Sequence, residues 1–345
     1  MSTHFMQPSR RELFKSLGTA AAGLVLSAGM PASEKAGAKP LWGIFPIAQS
    51  PFTDSDNLDI DVLVEQVRFI DRGRVHGLVW PQLASEWSTL SETERFEGAE
   101  AIASAGKKLR PAIVLGVQGP TLDAAMRYAK HAEKVGADAI ISLPPANQNE
   151  PNAVVDYYRS VGAATGLPFF VQAVGNMSVE MLVEMYKTTP TIRYVKDEAG
   201  QPLMRIGTLR EKTSDELKVF TGAHGRTLID EMRRGFSGTM PAASFADLYA
   251  ASWDLWHEGK RKEAMDVFAK ASMIIHEVGA YGMESLKYIL CLRGVFKTYN
   301  TREARRGGPR QAESLAGLGA RTYLDEAGKQ VLREMLEHVK PYLRA

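Results

Sequence analysis

The sequence predicts a (β/α)8 barrel with a C-terminal α-helical extension, and three observations support this fold class. From Trp42 onward, short apolar runs alternate with segments of helical period, which is typical of βα units. The runs are almost continuously apolar, as parallel strands covered on both faces require. There are eight of them, the number that closes a barrel. A doubly wound open sheet is the alternative, but no G-x-G-x-x-G follows the first run.

The N-terminal segment predicts export rather than a part of the barrel. Arg10 and Arg11 precede a weakly apolar stretch over 17–30 that is rich in alanine and glycine, the arrangement of a twin-arginine signal. This stretch is too short and too weakly apolar to span a bilayer stably, and Ala36-Gly37-Ala38 has the small-x-small pattern of a cleavage site. We therefore expect a signal over residues 1–38 and a periplasmic or otherwise exported protein without a stable membrane span.

The predicted strands follow the order of a barrel, and each is followed by a segment of helical length. They span Gly43–Ala48, Gly77–Pro81, Ala112–Val117, Ala139–Leu143, Pro168–Gln172, Ile192–Lys196, Leu217–Thr221 and Gly238–Ala242. End signals mark the helices between them: Thr121 is placed as an N-cap, and Gly136 as the residue that ends the same helix. Ser91 and Glu94 have the spacing of a capping box at the start of another helix.

After the eighth unit the pattern changes to helices without strands between them. The predicted helices are Ser244–Glu258, Arg261–Gly279, Met283–Tyr299 and Glu326–Tyr342. We therefore assign residues 39–258 to the barrel and residues 259–345 to a C-terminal helical extension. The loop Thr301–Arg310 contains four arginines and is expected to be solvated, with a contact at an oligomer interface as the alternative.

Composition favours small-molecule chemistry. The chain has 42 basic and 40 acidic side chains, so its net charge of +2 does not indicate a surface for nucleic acid. The single cysteine, Cys291, excludes an internal disulfide and a multi-thiolate metal site, and its apolar neighbours predict a buried side chain. The seven histidines show no H-E-x-x-H arrangement, and no glycine-rich phosphate loop precedes a helix. The sequence predicts no metal, no cofactor and no nucleic-acid partner.

Polar side chains end several of the predicted strands, where the active site of such a barrel lies. They are Glu86, Asn147, Gln172, Lys196, Asp197, Glu198 and His224. Lys196 is the unusual member, because it ends an apolar strand and its ammonium would be largely desolvated. Desolvation favours the neutral amine, the form that attacks a ketone. The alternative is that Lys196 only forms an ion pair with Asp197 or Glu198.

The segment Tyr194–Gly200 resembles the I-K-E-A-T-G stretch that carries the Schiff-base lysine of the dihydrodipicolinate synthase and N-acetylneuraminate lyase family. Further stretches in the family's order extend the resemblance from residue 41 to about residue 297. They are Ser50–Asp54, similar to T-P-F-x-x-D; Glu86–Leu90, similar to the end of G-T-T-G-E-x-x-x-L; Gly136–Ala139 with Pro144-Pro145; and Gly222 with Gly235–Gly238.

The resemblance implies a lyase of the pyruvate-dependent class I aldolase type that acts on a 2-keto acid through a Schiff base on Lys196. The reaction would be aldol cleavage, condensation or dehydration, and the assembly a homodimer or homotetramer. The substrate-binding positions that we expect are Ala84, Ser85, Ala146, Gly222 and Met240. The backbone amides of Ala84 and Ser85 would bind the keto-acid carboxylate, as the matching loop does in the family.

The chain departs from the family at its proton relay. The family's hydroxyls and tyrosines are matched here by Leu83, Ala84, Ala146 and Gln172, which cannot transfer protons at ordinary pH. The candidates to replace them are Glu86, Asp197, Glu198 and His224. We expect Glu86 to brace its loop, whereas an imidazole at His224 suits a proton shuttle near neutral pH. If nothing replaces the relay, the alternative is a catalytically degenerate barrel that binds a small carboxylate or serves as a scaffold.

Overall fold

The computed structural model describes residues 38–146, 150–302 and 324–345. The predicted signal, except for its last residue, lies outside the described residues, as do Asn147 and positions 303–310 of the arginine-rich loop. From Lys39 onward the chain belongs to one compact unit.

Eight parallel strands form the predicted barrel. They are β1 Gly43–Ile44, β2 Gly77–Trp80, β3 Ala112–Gly116, β4 Ala139–Ser142, β5 Phe169–Ala173, β6 Ile192–Asp197, β7 Lys218–Thr221 and β8 Gly238–Thr239. The strand order is β1-β8-β7-β6-β5-β4-β3-β2. The remaining gap, between β1 and β2, is bridged by the parallel pair Ile47 and Val79. The predicted (β/α)8 fold is confirmed, with β1 and β8 shorter than expected.

The helices alternate with the strands and then continue without them. They are α1 Ile60–Arg72, α2 Glu92–Gly106, α3 Leu122–Val135, α4 Pro151–Ala163, α5 Val179–Thr188, α6 Pro202–Lys212, α7 Leu228–Arg233, α8 Ala246–His257, α9 Arg261–Tyr281, α10 Met283–Leu292 and α11 Glu326–Val339. The predicted end signals are confirmed. Thr121 accepts a hydrogen bond from the amide of Ala124, Gly136 ends α3 with φ +82°, and Ser91 and Glu94 form the capping box of α2.

Helix α10 is shorter than the sequence pattern predicts. The prediction that it reaches Tyr299 is wrong, because the chain turns at Gly294, whose φ of +70° lies in the left-handed region that glycine favours. Cys291, in the last turn of α10, is half-buried rather than fully buried. Its partial burial still raises the pKa of the thiol to about 11. The cysteine is therefore a protonated thiol at neutral pH.

Arg302 is buried, so the prediction of a solvated loop is wrong at this position. Its guanidinium donates to both carboxylate oxygens of Glu94, at 2.6 and 2.9 Å, and lies 4.1 Å from the centre of the Phe52 ring. Burial by itself raises the pKa of Glu94, but the hydrogen bonds from Arg302 and Ser91 outweigh it and lower the pKa to about 2. The arginine thereby ties the segment after α10 to the start of α2.

The core has two layers because side chains alternate along each strand. One cluster fills the barrel interior, and the other lies between the strands and the surrounding helices. Within the interior, Phe170 stacks on Tyr194 with ring centres 4.4 Å apart and meets Phe220 edge-on at 5.1 Å. Tyr194 and Lys196 both point inward on β6, with Lys196 nearer the carboxyl end of the strand. The aromatic group therefore forms an apolar floor beneath the lysine.

Candidate active site

Lys196 is the next-to-last residue of β6, at the carboxyl end of the barrel. It is paired in register with Gln172 on β5 and with Phe220 on β7. Its side chain is only 4% exposed, and its Nζ lies 2.8 Å from Oε2 of Glu198. The amine therefore lies inside the barrel mouth, where it contacts the carboxylate of the residue that directly follows its own strand and has little exposure to bulk water.

The carboxylate of Glu198 is the centre of the hydrogen-bond network at this site. Oε2 accepts from Lys196 Nζ and from Gln172 Nε2, each at 2.8 Å, and Oε1 accepts from the backbone amide of Ala223 at 2.9 Å. Burial by itself raises the pKa of this carboxyl, but the nearby charge of Lys196 and the three hydrogen bonds outweigh it, so the pKa lies below its ordinary value. Glu198 is therefore ionised at neutral pH.

Gly222 makes room for this network. A Cβ at this position would lie 2.0 Å from Oε1 of Glu198 and 2.7 Å from Cε of Lys196. Both distances are far below ordinary van der Waals contact. The absence of a side chain at Gly222 is therefore what lets the carboxylate and the lysine occupy the end of the barrel together.

A cavity of about 70 Å³ opens beside the lysine. Among the residues that the structure describes, three ionisable side chains line it: Lys196, Glu198 and His224. The remaining lining residues are mostly apolar, and they are Ile47, Leu83, Ala84, Ala223, Met240, Pro241, Ala242, Gly282, Met283 and Leu286. Two of these lining residues, Met283 and Leu286, belong to α10. The C-terminal extension therefore helps to shape the site.

The expected substrate-binding positions divide into two groups. Ala84, Met240 and Gly222 lie at the cavity or against its charged groups. Ser85 is buried in the loop: its hydroxyl accepts from the amide of Gln82 at 3.0 Å, and its own amide donates to the carbonyl of Gln82 at 2.9 Å. Ala146 is exposed and does not line the cavity. Ser85 therefore stabilises the loop in this structure instead of presenting its polar groups to the cavity.

Two other predicted acidic residues point away from the lysine. Asp197 accepts from Nε of Arg205 at 2.7 Å, and its net pKa is raised because burial outweighs that hydrogen bond. Glu86 is fully buried, has a φ of +53°, and pairs with Lys287 of α10. Neither carboxylate lines the cavity. Glu86 thus occupies the bracing position that we expect, but through an ion pair to the C-terminal extension.

His224 lies at the cavity, after the end of β7. It is 8% exposed and has a φ of +57°, in the left-handed region, and its carbonyl accepts a hydrogen bond from the hydroxyl of Tyr249. Tyr249 belongs to α8 and is completely buried. This bond fixes the backbone of the loop that also supplies the Ala223 amide to Glu198.

Sequence reasoning named Glu198 only as one of several proton-transfer candidates and did not place it at the centre of the site. The signal that distinguishes it is the alternation of β6. Positions 194, 196 and 198 point to the same side of a strand, so Glu198 continues the inward-facing row of Tyr194 and Lys196, whereas Asp197 faces the helices.

Within the described ranges, no group of three or more histidine, cysteine, aspartate or glutamate side chains is arranged to hold a metal ion. The same part of the chain contains no helix that is both long enough and apolar enough to cross a membrane.

A further buried carboxylate, that of Glu231, lies behind β7, and it predicts a pH-dependent stability. Glu231 is 3% exposed and accepts hydrogen bonds from the hydroxyls of Thr221 and Thr227, each at 2.7 Å. Burial raises its pKa from 4.5 to about 7. The folded protein therefore binds this proton more tightly than the unfolded chain, so the stabilisation is complete below pH 4.5 and is lost as the pH rises through 7, by roughly 3 kcal/mol in total.

We expect Glu231→Gln to remove this component. Urea unfolding of the protein and the variant, measured from about pH 4 to pH 8, should show the free energy of unfolding of the unmodified protein falling relative to the variant by roughly 3 kcal/mol. Parallel stability curves would show that Glu231 titrates normally. The comparison between two chains cancels the contributions of all other titrating groups.

Comparisons with known proteins identify the family of the chain. Residues 40–305 match the family model described as the Dihydrodipicolinate synthetase family. A 4-hydroxy-tetrahydrodipicolinate synthase of Rhizobium meliloti (strain 1021) is 31% identical over 165 residues, which cover 46% of this chain and 56% of the relative. One from Methanococcoides burtonii is 28% identical over 194 residues, which cover 54% and 65%. The matched segments therefore span less than two thirds of these relatives.

Solved structures show the same fold. The crystal structure of dihydrodipicolinate synthase from Rhodopseudomonas palustris superposes with a TM-score of 0.74 at 22% identity, covering 86% of this chain and 97% of the other. That of N-acetylneuraminate lyase from Mycoplasma synoviae gives a TM-score of 0.72 at 20% identity, with the same coverage of 86% and 97%. Because the family model matches most of the chain, this protein belongs to the Dihydrodipicolinate synthetase family.

Proposed function

We propose that this protein is a lyase that forms a Schiff base between Lys196 and a 2-keto acid. The observation that carries the proposal is the placement of the Lys196 amine: it lies at the carboxyl end of the barrel, is nearly buried, borders an open cavity and has a carboxylate at 2.8 Å. A buried amine beside a proton acceptor is the arrangement that nucleophilic attack on a ketone requires.

The electrostatics of the site suit the intermediate as well as the attack. The iminium carries the same positive charge as the ammonium that it replaces, and the ionised Glu198 faces that charge in both states. An iminium withdraws electrons from the neighbouring carbon, and this assists cleavage of a carbon–carbon bond or elimination of water. We therefore propose aldol cleavage, condensation or dehydration as the reaction class.

The cavity wall supports a substrate with a small apolar substituent. Its non-ionisable lining comes mainly from Ile47, Leu83, Met240, Met283 and Leu286. Phe170 does not line the cavity and lies in the barrel interior instead.

We propose that the protein is exported by the twin-arginine route and assembles as a homodimer or homotetramer.

Reductive trapping tests the proposed function. The protein should be incubated with sodium borohydride and each of pyruvate, 2-oxobutanoate and 4-methyl-2-oxopentanoate, then digested and analysed by mass spectrometry. We expect a reduced adduct on Lys196 with at least one of these acids and none in Lys196→Met. The absence of any adduct in the unmodified protein would contradict the proposal.

A specific feature supports a second candidate, a barrel that binds a small carboxylate without catalysis. Leu83 and Ala84, which line the cavity, stand at two of the positions that match the family's relay groups. Isothermal titration separates the two functions. Binding of a keto acid that is unchanged by Lys196→Ala would favour the binding protein, whereas loss of binding together with loss of the adduct would favour the lyase.

A further inference from the structure

Formation of an imine from a lysine ammonium requires several proton transfers. The ammonium of a lysine must lose a proton before it can attack, and the hydroxyl of the carbinolamine must gain one before it leaves as water. In the family this chain resembles, hydroxyl groups carry out such transfers, and here their positions are occupied by Leu83, Ala84, Ala146 and Gln172. Another group must therefore handle the proton if Lys196 reacts.

Glu198 meets the geometric requirement for this role. Its Oε2 lies 2.8 Å from the Lys196 Nζ, within the range of direct proton transfer. Its side chain is 22% exposed and lines the same cavity as the amine, so it also borders the space in which a carbinolamine would form. The other nearby carboxylates are committed elsewhere, Asp197 to Arg205 and Glu86 to Lys287.

We propose that Glu198 is a catalytic residue that shuttles one proton between the Lys196 amine and the oxygen of the substrate. This inference rests on the proposed function. Glu198 first accepts a proton from the ammonium, which leaves a neutral amine whose electron pair attacks the keto carbon. After a proton moves from nitrogen to oxygen, the product is a neutral carbinolamine.

The second half of the cycle returns the proton. The protonated Glu198 donates it to the carbinolamine hydroxyl, the carbon–oxygen bond breaks, water leaves, and the nitrogen electron pair forms the iminium. Ammonium and ketone have become iminium and water with no change of total charge, and Glu198 is again a carboxylate. No oxidant, metal or further reactant takes part in this sequence.

The surrounding residues hold the carboxylate in position for this exchange. Gln172 donates to the oxygen that faces the lysine, and the Ala223 amide donates to the other oxygen. Because Gln172 and Ala223 belong to different strand ends, the carboxylate is fixed from two sides of the barrel mouth. We assign Gln172 as a positioning residue, since its amide cannot accept or donate a proton in the reaction.

The alternative is that Glu198 only neutralises the charge of the lysine, and the two roles predict opposite effects. If Glu198 is only a counter-ion, its removal takes no proton carrier from the reaction, so imine formation should be unchanged or faster. If it is the proton shuttle, its removal takes away the group that carries the proton, so imine formation should be slower. The direction of the rate change therefore distinguishes the roles.

The experiment measures the rate of reductive adduct formation on Lys196, with the keto acid that gives the best trapping in the unmodified protein. For Glu198→Gln, which preserves the shape of the side chain, we expect the rate to fall by about 100-fold. Glu184→Gln on α5 is the matched control, because it removes one negative charge from an exposed position. It should trap at the unmodified rate.

Chemical rescue keeps the test independent of folding. In Glu198→Ala, added formate can occupy the space of the missing carboxylate. We expect the rate of reductive trapping in this variant to increase at least about tenfold as the formate concentration rises. Unchanged or faster trapping in Glu198→Gln would overturn the inference while leaving the proposed function intact. Failure of the unmodified protein to trap any keto acid would overturn the proposed function itself.

Discussion

Replacing Gly222 by alanine is expected to lower the rate of imine formation on Lys196 by about 10,000-fold. The added methyl group would lie 2.0 Å from Oε1 of Glu198 and 2.7 Å from Cε of Lys196, so neither side chain could stay where it is. Misplacing one reacting group by about 1 Å costs on the order of 100-fold, and here two groups are displaced together. The measurement is the rate of reductive trapping with a 2-keto acid.

Gly207→Ala is the matched control for this substitution. Gly207 lies within α6, and a Cβ added there would have no neighbour within 4 Å. We expect it to trap at the unmodified rate and to gain about 0.4–1 kcal/mol of stability, because alanine restricts the unfolded chain. If Gly222→Ala folds and traps as fast as Gly207→Ala, the close packing around the lysine does not matter for the reaction.

Much of the fold could be predicted because its signals are local. An apolar run such as Ala112–Val117 already carries the information that it is a buried parallel strand, and Thr121 and Gly136 mark the two ends of the next helix, which has 14 residues between them. Helix α10 shows the limit of this approach. Its apolar pattern continues to Tyr299, but the turn at Gly294 depends on one residue whose conformation the pattern does not reveal.

The candidate site was predictable only in part. Lys196 stands out because a lysine at the end of an apolar strand is unusual, and strand alternation is also a local property. The partners of Glu198 are not local: Gln172 lies on the preceding strand, and the Ala223 amide follows the next one. These contacts depend on the register between β5, β6 and β7. The closed barrel determines this register, and it cannot be deduced from the linear sequence.

The ion pair between Glu86 and Lys287 joins residues 201 positions apart, and breaking it should produce the largest loss of stability. Both side chains are completely buried. The ammonium also donates to the carbonyl of Asn300 at 2.7 Å and lies 4.4 Å from the centre of the Phe52 ring. Because the carboxylate of Glu86 would stay buried without this counter-ion, we expect Lys287→Met to lower the free energy of unfolding by about 3–5 kcal/mol.

Two further variants serve as controls for the loss of stability expected in Lys287→Met. Lys297→Met breaks an ion pair with Asp59, but the lysine is 70% exposed, and we expect a change within about 0.5 kcal/mol. The double variant Glu86→Gln with Lys287→Met removes both charges of the pair and should be more stable than Lys287→Met alone. Urea unfolding measures all three, and a loss below about 1 kcal/mol for Lys287→Met would show that the pair is not a main support of the fold.

The same pair connects the stability of the chain to the shape of its site. Glu86 ends the turn that presents Leu83 and Ala84 to the cavity, and Lys287 follows Leu286, which also lines it. Breaking the pair therefore releases both walls but leaves Lys196 and Glu198 in place. We expect Lys287→Met to weaken the binding of the keto acid and to change the adduct rate much less at saturating keto acid than Gly222→Ala does. If the adduct rate at saturating keto acid fell equally in Lys287→Met and Gly222→Ala, the result would instead indicate that Glu86 takes part in the reaction.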